Sequence, residues 1–328
     1  MTIGHRLSLA AALAFACAPL GLKAQTFVRM EIHPIETVTL NTQEFLTGDL
    51  NGKPAVIAGE LRIPKPGTDK LPAVVLIHGS GGISGDRWAQ ELNSIGVAAF
   101  ILDSFSGRGI VNTPPPANQG NEPSQLDTLA MMLDAYRALG RLVQHPRIDP
   151  DRIAVMGFSK GAVAAVYSSN ERFRKLYAPA NAQFAAHIGL YTPCSTTYRD
   201  DDKTTGKPIR LFHGIADDLA SIIPCRAYVE RLKGAGAAAT LTEYPDAYHA
   251  YDAVLLKEPL RVPQAQNGHN CFLTEGDNGV VLNAETGTPF TLADACMDRG
   301  TQLVYNAAAH QATVKAVKEF LTATFNLD

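Results

Sequence analysis

The stretch that decides the fold of this chain is Ile153-Ala154-Val155-Met156-Gly157-Phe158-Ser159-Lys160-Gly161, and an Ala-rich pattern typical of a helix follows at 162–166. Its first four residues are apolar and predict a buried strand, and the G-x-S-x-G pentapeptide predicts a very tight turn into the helix. Only small residues fit where the backbone approaches itself this closely, here Gly157 and Gly161. The Ser159 hydroxyl is then held clear of the sheet at a helix N-terminus, where N–H groups can stabilise an oxyanion. The stretch therefore predicts a nucleophile elbow.

Strands and helices are predicted to alternate along most of the chain. Continuous apolar runs indicate central strands covered on both faces, whereas two segments near the N-terminus alternate apolar and polar residues, as half-buried antiparallel strands do. Apart from the elbow, the predicted strands are 26–42, 55–63, 71–77, 97–102, 184–190, 208–212 and 239–244, and the predicted helices are 87–94, 126–144, 225–234 and about 307–324. This order predicts an α/β fold with a doubly wound, mostly parallel sheet.

The composition is that of an ordinary globular protein. Of the 328 residues, 46% are hydrophobic and 19% are charged, and the net charge is -3 at pH 7. Lys and Arg are scattered, so we expect neither a nucleic-acid nor an anionic-membrane partner. Residues 255–304 are rich in Asn, Gly and Pro. We interpret them as an insertion before the last helix, within a single domain that spans 25–328.

The N-terminus has the pattern of a bacterial signal peptide. His5 and Arg6 precede an apolar run at 7–22, and Ala24 offers a small residue for cleavage. The run is short and Ala-rich for a membrane span, which leaves a retained anchor as the less favoured alternative. We therefore expect residues 1–24 to be removed and the mature protein to be periplasmic or secreted, with no membrane partner.

Four cysteines remain after removal of the leader, namely Cys194, Cys225, Cys271 and Cys296. An even number in an oxidising compartment predicts two disulfides, for which three pairings are possible. Proximity in sequence favours Cys194–Cys225 and Cys271–Cys296. No C-x-x-C spacing is present, so a metal site is not expected.

A reactive serine needs a base to accept its proton, and the base needs an orienting carboxylate. In the α/β-hydrolase arrangement these residues follow the serine in the order acid, then histidine, each beyond a strand end. Three of the nine histidines lie far enough downstream: His249, His269 and His310. His249 comes just after the predicted strand 239–244, which makes it the candidate base. The other two are expected to be a surface and a helix-face histidine.

The acid should follow the preceding strand, 208–212, and there the sequence offers two neighbouring candidates, Asp217 and Asp218. Adjacent residues in a loop cannot both point at one imidazole. One of them is therefore expected to be solvated or to cap the next helix, and the residues alone leave the choice open.

Donors for the oxyanion are predicted at two backbone positions. One is the N–H of Lys160, the residue after the nucleophile, whose side chain is expected to be solvated. The other belongs to the Gly-rich loop after the strand 71–77, where Ser80 is the candidate and Gly81 the alternative.

Four motifs in order together resemble the dienelactone hydrolase family of α/β-hydrolases. They are His-Gly-Ser-Gly-Gly at 78–82, Gly-Phe-Ser-Lys-Gly at 157–161, His-Gly-x-x-Asp-Asp at 213–218 and Tyr-Pro-x-x-x-His at 244–249. The likeness covers roughly 55–251 and the last helix. It implies an α/β-hydrolase fold and a Ser159–Asp217–His249 triad, in which Asp217 is the first Asp after the His-Gly pair. The family's namesakes carry cysteine as nucleophile, where this chain has serine, and are typically intracellular.

The expected reaction is hydrolysis of a small-molecule carboxylic ester or lactone through an acyl-enzyme, without a metal or organic cofactor. The alternatives are a serine peptidase or amidase with the same triad, and a non-catalytic periplasmic binding protein with a hydrolase fold. Arg108, beyond the predicted strand 97–102, is a candidate for binding a substrate carboxylate. A solvated loop arginine is the favoured interpretation at that position.

Overall fold

The computed structural model describes residues 27–83, 86–110 and 126–327. Its central element is an eight-stranded sheet with the strand order β1-β2-β4-β3-β5-β6-β8-β9. These strands are β1 (Arg29–Thr39), β2 (Lys53–Ile63), β3 (Leu71–Ile77), β4 (Ala98–Asp103), β5 (Ile148–Phe158), β6 (His187–Leu190), β8 (Ile209–Gly214) and β9 (Ala239–Tyr244), while β7 (Thr196–Thr197) lies in the loop after β6.

All strand pairs from β4 to β9 in this sheet are parallel, and the pairs β1·β2 and β2·β4 are antiparallel. Every residue of β3 and β4 is buried, as their continuous apolar runs predict. The doubly wound, mostly parallel sheet predicted from the sequence is confirmed.

Seven α-helices lie in the described part of the chain. They are α1 (Thr42–Thr47), α2 (Asp86–Ser94), α3 (Thr128–Val143), α4 (Lys160–Tyr167), α5 (Glu171–Tyr177), α6 (Ile222–Gly234) and α7 (Ala307–Phe325). Apolar side chains of α3, α4 and α6 form one core cluster with one face of the sheet, and those of α2 and α7 form a second cluster with the other. Helices therefore cover both faces, as α/β folds require.

The short helix α1 is absent from the sequence prediction, and the strand predicted over 26–42 ends earlier, at Thr39. The Asn41 side chain accepts a hydrogen bond from the Glu44 N–H, and the Glu44 carboxylate accepts one from the Asn41 N–H. This capping box ends the extended segment and starts the helix.

The insertion before α7 is a set of short strands rather than a compact second sheet. Its strands are β10 (Leu260–Arg261), β11 (Gln266–Asn267), β12 (Leu273–Glu275), β13 (Val281–Asn283), β14 (Asp298–Arg299) and β15 (Gln302–Leu303). β10 pairs with β15 and β11 with β14, and β12 lies between β13 and β7. The insertion also contacts the loop after β9, because Leu303 forms an isolated bridge with His249.

Both disulfides have the pairing favoured by the sequence. Cys271–Cys296 closes a loop inside the insertion, and Cys194–Cys225 joins the loop after β6 to α6. The predicted leader, 1–24, lies outside the described residues, so it stays a prediction. Within the described ranges, no helix combines the length and apolar character needed to cross a membrane.

Candidate active site

The predicted elbow is present at the end of β5. Ser159 has φ 52° and ψ -119°, a region that residues other than glycine adopt only under strain, and α4 begins at the next residue. A Cβ atom on Gly157 would lie 2.0 Å from the Gly161 carbonyl oxygen, and one on Gly161 would lie 2.3 Å from the Ile77 carbonyl oxygen. The turn can therefore form only with glycine on both sides of the serine.

Three side chains from separate strand ends meet at this elbow. His249 Nε2 lies 2.7 Å from Ser159 Oγ, and His249 Nδ1 lies 2.8 Å from Asp217 Oδ2. The carboxylate accepts a hydrogen bond from the Nδ1–H group, so the lone pair on Nε2 faces the serine hydroxyl. The structure thus brings together Ser159, Asp217 and His249, and this arrangement can activate a hydroxyl group as a nucleophile.

Asp217 is held in place from both sides of its carboxylate. Oδ1 accepts hydrogen bonds from the N–H groups of Leu219 at 3.0 Å and Ala220 at 2.8 Å. Burial alone would raise the pKa of Asp217, but the nearby charge and hydrogen bond of His249 outweigh it and lower the pKa below its ordinary value. A charged, immobile acceptor therefore fixes the orientation of the imidazole.

Asp218 has a different role from its neighbour. Its Oδ1 accepts hydrogen bonds from Thr301 Oγ1 at 2.7 Å and from the Gln302 N–H at 3.1 Å. The two neighbouring acids therefore differ in their contacts, since Asp217 faces His249 and Asp218 anchors the insertion.

The Gly-rich loop after β3 is positioned by a buried histidine. His78 Nδ1 donates to the Gly79 carbonyl at 2.8 Å, and His78 Nε2 accepts from the Ser104 N–H at 3.2 Å. Burial lowers the pKa of His78, which favours the neutral ring that this pattern requires. Because a trans peptide directs its N–H away from its C=O, fixing the Gly79 carbonyl also fixes the direction of the Ser80 N–H.

Arg108 does not lie where the sequence analysis placed it. Its side chain is 4% exposed and forms a two-pronged ion pair with the fully buried Asp134, at 2.8 and 2.9 Å. The guanidinium also donates to Thr39 Oγ1 at 2.8 Å and to the Ser104 carbonyl at 2.7 Å. The suggested role in binding a substrate carboxylate is wrong, and so is the alternative of a solvated arginine, because this cation neutralises a buried acid.

The Lys160 side chain is likewise buried rather than solvated. Its ammonium group donates to the Leu126 carbonyl, and burial lowers the pKa of Lys160 to about 8. The backbone of the same residue starts α4, where helix geometry directs N–H groups out of the N-terminus. The predicted use of the Lys160 and Ser80 N–H groups as oxyanion donors stays a prediction.

Two cavities lined by described residues adjoin Ser159 and Ser80. We call the one with more hydrogen-bonding side chains in its wall the polar cavity and the other the apolar cavity. The polar cavity has a volume of about 330 Å³, and its hydrogen-bonding side chains include Thr128, Gln266, Asn267 and His269. The apolar cavity has a volume of about 290 Å³ and is lined by His249 and Tyr191 together with Ile83, Phe158, Ala250, Ala253 and Leu303. His269 therefore lies in the wall of a cavity beside the nucleophile, where the sequence analysis expected a plain surface histidine.

A second set of side chains supports the His249 imidazole, and the sequence analysis does not predict it. The Tyr191 ring packs against the His249 ring with centroids 4.9 Å apart. The Asp252 carboxylate accepts from the Tyr191 hydroxyl at 2.9 Å and from the Trp88 indole N–H at 2.7 Å. No spacing rule points to this group, because its members come from three distant segments.

Among the described residues, one cluster away from Ser159 has side chains of the kinds that can bind a metal ion. It consists of Glu31, His33 and His145. His33 Nδ1 accepts from Arg141 Nε, and His145 Nδ1 accepts from the Arg147 N–H, both at 3.1 Å. A neutral imidazole that accepts on Nδ1 carries its proton on Nε2. Both Nε2 atoms face Glu31 Oε2, at 3.1 and 3.2 Å. A hydrogen-bonded cluster fits these tautomers better than a metal site, which needs the Nε2 lone pairs.

Comparison with known proteins agrees with this architecture. The family model described as dienelactone hydrolase family matches residues 57–266. A dienelactone hydrolase-like promiscuous phosphotriesterase from metagenomic libraries is similar in structure, with 15% identity, a TM-score of 0.59 and coverage of 90% of this chain and 98% of that chain. An α/β hydrolase from a Medee basin deep-sea metagenome library is 16% identical, with a TM-score of 0.50 and coverage of 91% and 99%. Likenesses at these identities establish the α/β-hydrolase fold. A search of curated proteins found no match.

Proposed function

Because the chain belongs to the dienelactone hydrolase family, we propose that it is a serine hydrolase that cleaves a carboxylic ester or lactone through an acyl-enzyme. The observation that carries the proposal is the continuous hydrogen-bond chain from Ser159 Oγ through the His249 imidazole to the Asp217 carboxylate, with links of 2.7 and 2.8 Å. Such a chain lets a neutral hydroxyl act as a nucleophile near neutral pH.

The first half of the reaction transfers the acyl group to the enzyme. His249 Nε2 accepts the hydroxyl proton while Ser159 Oγ attacks the carbonyl carbon, and the negative charge moves to the carbonyl oxygen. The N–H groups of Lys160 and Ser80 stabilise this oxyanion. When the tetrahedral intermediate collapses, the bond to the leaving oxygen breaks and His249 donates its proton to that oxygen.

The second half returns the enzyme to its starting state. A water molecule gives a proton to His249 Nε2 and attacks the acyl carbon, and collapse releases the acid and the Ser159 hydroxyl. Throughout, the negative carboxylate of Asp217 stabilises the imidazolium, and the two backbone donors to its second oxygen keep it aligned.

The protein is further proposed to act on small molecules outside the cytoplasm. Support comes from the predicted leader and from the disulfides Cys194–Cys225 and Cys271–Cys296, which persist in oxidising compartments. Fractionation of expressing bacteria tests this location, since retention of a full-length chain in the cytoplasm contradicts it.

Labelling with a fluorophosphonate, followed by peptide mapping, tests the nucleophile without knowledge of the substrate. We expect the label on Ser159 and no label in Ser159→Ala. Turnover of short-chain nitrophenyl esters should exceed that of peptide anilides, and the reverse ranking would support the peptidase alternative. A folded protein with neither labelling nor turnover would instead be a binding protein.

A further inference from the structure

The two cavities beside Ser159 offer separate places for the acyl part and the alcohol part of an ester substrate. In the proposed mechanism the leaving oxygen receives its proton from His249 Nε2, so it must come within hydrogen-bonding distance of that atom. His249 lines the apolar cavity and is not part of the described wall of the polar cavity. The alcohol part therefore fits the apolar cavity, and the acyl part extends into the polar one.

The wall of the polar cavity contains the His269 imidazole, whose orientation is fixed by a hydrogen bond to Asn267. The buried amide of Asn267 donates through Nδ2 to the Gly300 carbonyl at 2.7 Å, so its Oδ1 faces His269. His269 Nδ1 donates to that oxygen at 2.5 Å. A neutral imidazole that donates from Nδ1 has a lone pair on Nε2. Among the described residues, no hydrogen bond to His269 Nε2 is formed.

This pair is held firmly within the insertion. Asn267 lies in β11 and pairs with Asp298 in β14. The Cys271–Cys296 disulfide joins the chain two residues beyond His269 to the chain two residues before Asp298. An acceptor with a fixed position in a cavity wall can discriminate between ligands that do and do not offer a donor.

We propose that the polar cavity selects esters whose acyl part carries a hydroxyl group, and that this hydroxyl donates a hydrogen bond to His269 Nε2. This inference rests on the proposed ester hydrolysis. The alcohol part of the preferred substrate is apolar. His269 is thus a specificity-determining residue, and it is supplied by the insertion rather than by the core of the fold.

Pairs of nitrophenyl esters that differ by one group test the acyl preference. The first pair is the 3-hydroxybutyrate and the 3-methylbutyrate, and the second is the 3-(4-hydroxyphenyl)propionate and the 3-(4-methylphenyl)propionate. We expect kcat/KM to favour the hydroxyl member of at least one pair by about tenfold, the worth of one hydrogen bond. His269→Ala should bring that ratio to about one while activity on the methyl member persists. Asn270→Ala, an exposed neighbouring position, is the control that should keep the wild-type ratio.

The orientation of the substrate is tested with the acyl group held constant. Hexyl butyrate should be preferred over 5-hydroxypentyl butyrate, because the alcohol part lies in the apolar cavity. A preference for the hydroxylated alcohol would reverse the assignment of the two cavities and overturn the inference.

Failure of this inference can be distinguished from failure of the proposed function. The wild type could hydrolyse the hydroxyl and the methyl member of each pair with equal kcat/KM. That result would overturn the hydroxyl preference and leave the proposed esterase activity intact. A hydroxyl preference that persists in folded His269→Ala would also overturn it. Absence of turnover of every ester, together with no labelling of Ser159, would instead remove the proposed function. Because the wild-type ratios are measured first, the inference is testable even if the variant does not fold.

Discussion

Asp218 Oδ1 accepts a hydrogen bond from Thr301 Oγ1 at 2.7 Å, across 83 residues of sequence. The contact joins the loop that carries Asp217 to the residue just before β15 of the insertion, and Leu303 in β15 bridges to His249. The two neighbouring acids therefore have different partners. Asp217 faces the His249 imidazole, and Asp218 holds the insertion beside it.

Substitution of these acids should separate their roles. Asp217→Asn should lower kcat by about 10⁴-fold, because the amide no longer stabilises the imidazolium or its tautomer. Asp218→Asn should keep kcat within about tenfold but lower the free energy of unfolding by about 1 kcal/mol through weaker hydrogen bonds to the insertion. Steady-state kinetics and denaturant unfolding of both variants test this. Equal losses of kcat would contradict the assignment.

Substitution of two serines, Ser159 and Ser80, tests the assignment of Ser159 as the nucleophile. Ser159→Ala should lower kcat by something on the order of 10⁶-fold, since without the hydroxyl no acyl-enzyme can form. Ser80→Ala keeps the backbone N–H that the mechanism uses, so its activity should remain within a few fold of the wild type. Ester turnover by carefully purified variants is the measurement. Substantial activity in Ser159→Ala would refute the mechanism, and loss of activity in Ser80→Ala would indicate that its side chain takes part.

Much of the fold and of the triad could be predicted because the signals are local. The apolar runs of β3 and β4 and the tight turn at Ser159 depend on residues close in sequence. The order of acid and base after the serine then limited the candidates to a few positions. The choice between Asp217 and Asp218 needed either the family resemblance or the structure, because side-chain direction in a loop has no sequence signature.

The predictions that proved wrong concern the charged side chains of Arg108 and Lys160, whose partners are distant in sequence. Arg108 looked solvated because it lies among loop residues, yet its partner Asp134 is 26 positions away. One signal was available: a carboxylate in the apolar stripe of α3 requires a buried cation. For His269 no signal existed, since its position depends on how the insertion packs against the loops that surround Ser159.

A buried histidine in β6 should make stability depend on pH. Burial lowers the pKa of His187 to about 4, from an ordinary value near 6.5, and its Nδ1 donates to the Ala165 carbonyl at 3.0 Å. Between these two values the unfolded chain binds a proton that the folded chain does not, so stability falls as pH decreases from about 6.5 to about 4. The full loss is roughly 3 kcal/mol.

His187→Asn provides the test of this pH dependence. The variant is expected to be less stable at pH 7, but it should lose less of its free energy of unfolding than the wild type between pH 7 and pH 4. Denaturant unfolding of both proteins at several pH values measures the difference. Parallel curves for wild type and variant would show that His187 does not titrate in this way.

The Cys271–Cys296 disulfide should matter for selectivity as well as for stability. Replacing both cysteines by serine removes a cross-link over 25 residues, and the free energy of unfolding should fall by about 3 kcal/mol. The Asn267–His269 pair then loses its nearest covalent anchor, so the preference for hydroxylated acyl groups should fall towards one. Fluorophosphonate labelling of Ser159 should continue at a similar rate, because Ser159, Asp217 and His249 follow strands of the main sheet and lie outside the insertion.

The Cys194→Ser, Cys225→Ser variant is the matched control, because its loop of 31 residues predicts a comparable loss of stability. It leaves the covalent anchor of the insertion intact. Cys194 itself lines the polar cavity, so the control is read from the ratio of hydroxyl to methyl substrates, which depends on His269, and not from absolute kcat/KM. That ratio should stay near that of the wild type. Measuring kcat/KM for both substrate pairs in both variants distinguishes a local effect from general destabilisation. If the two variants lose selectivity equally, then the insertion disulfide has no special role in positioning His269.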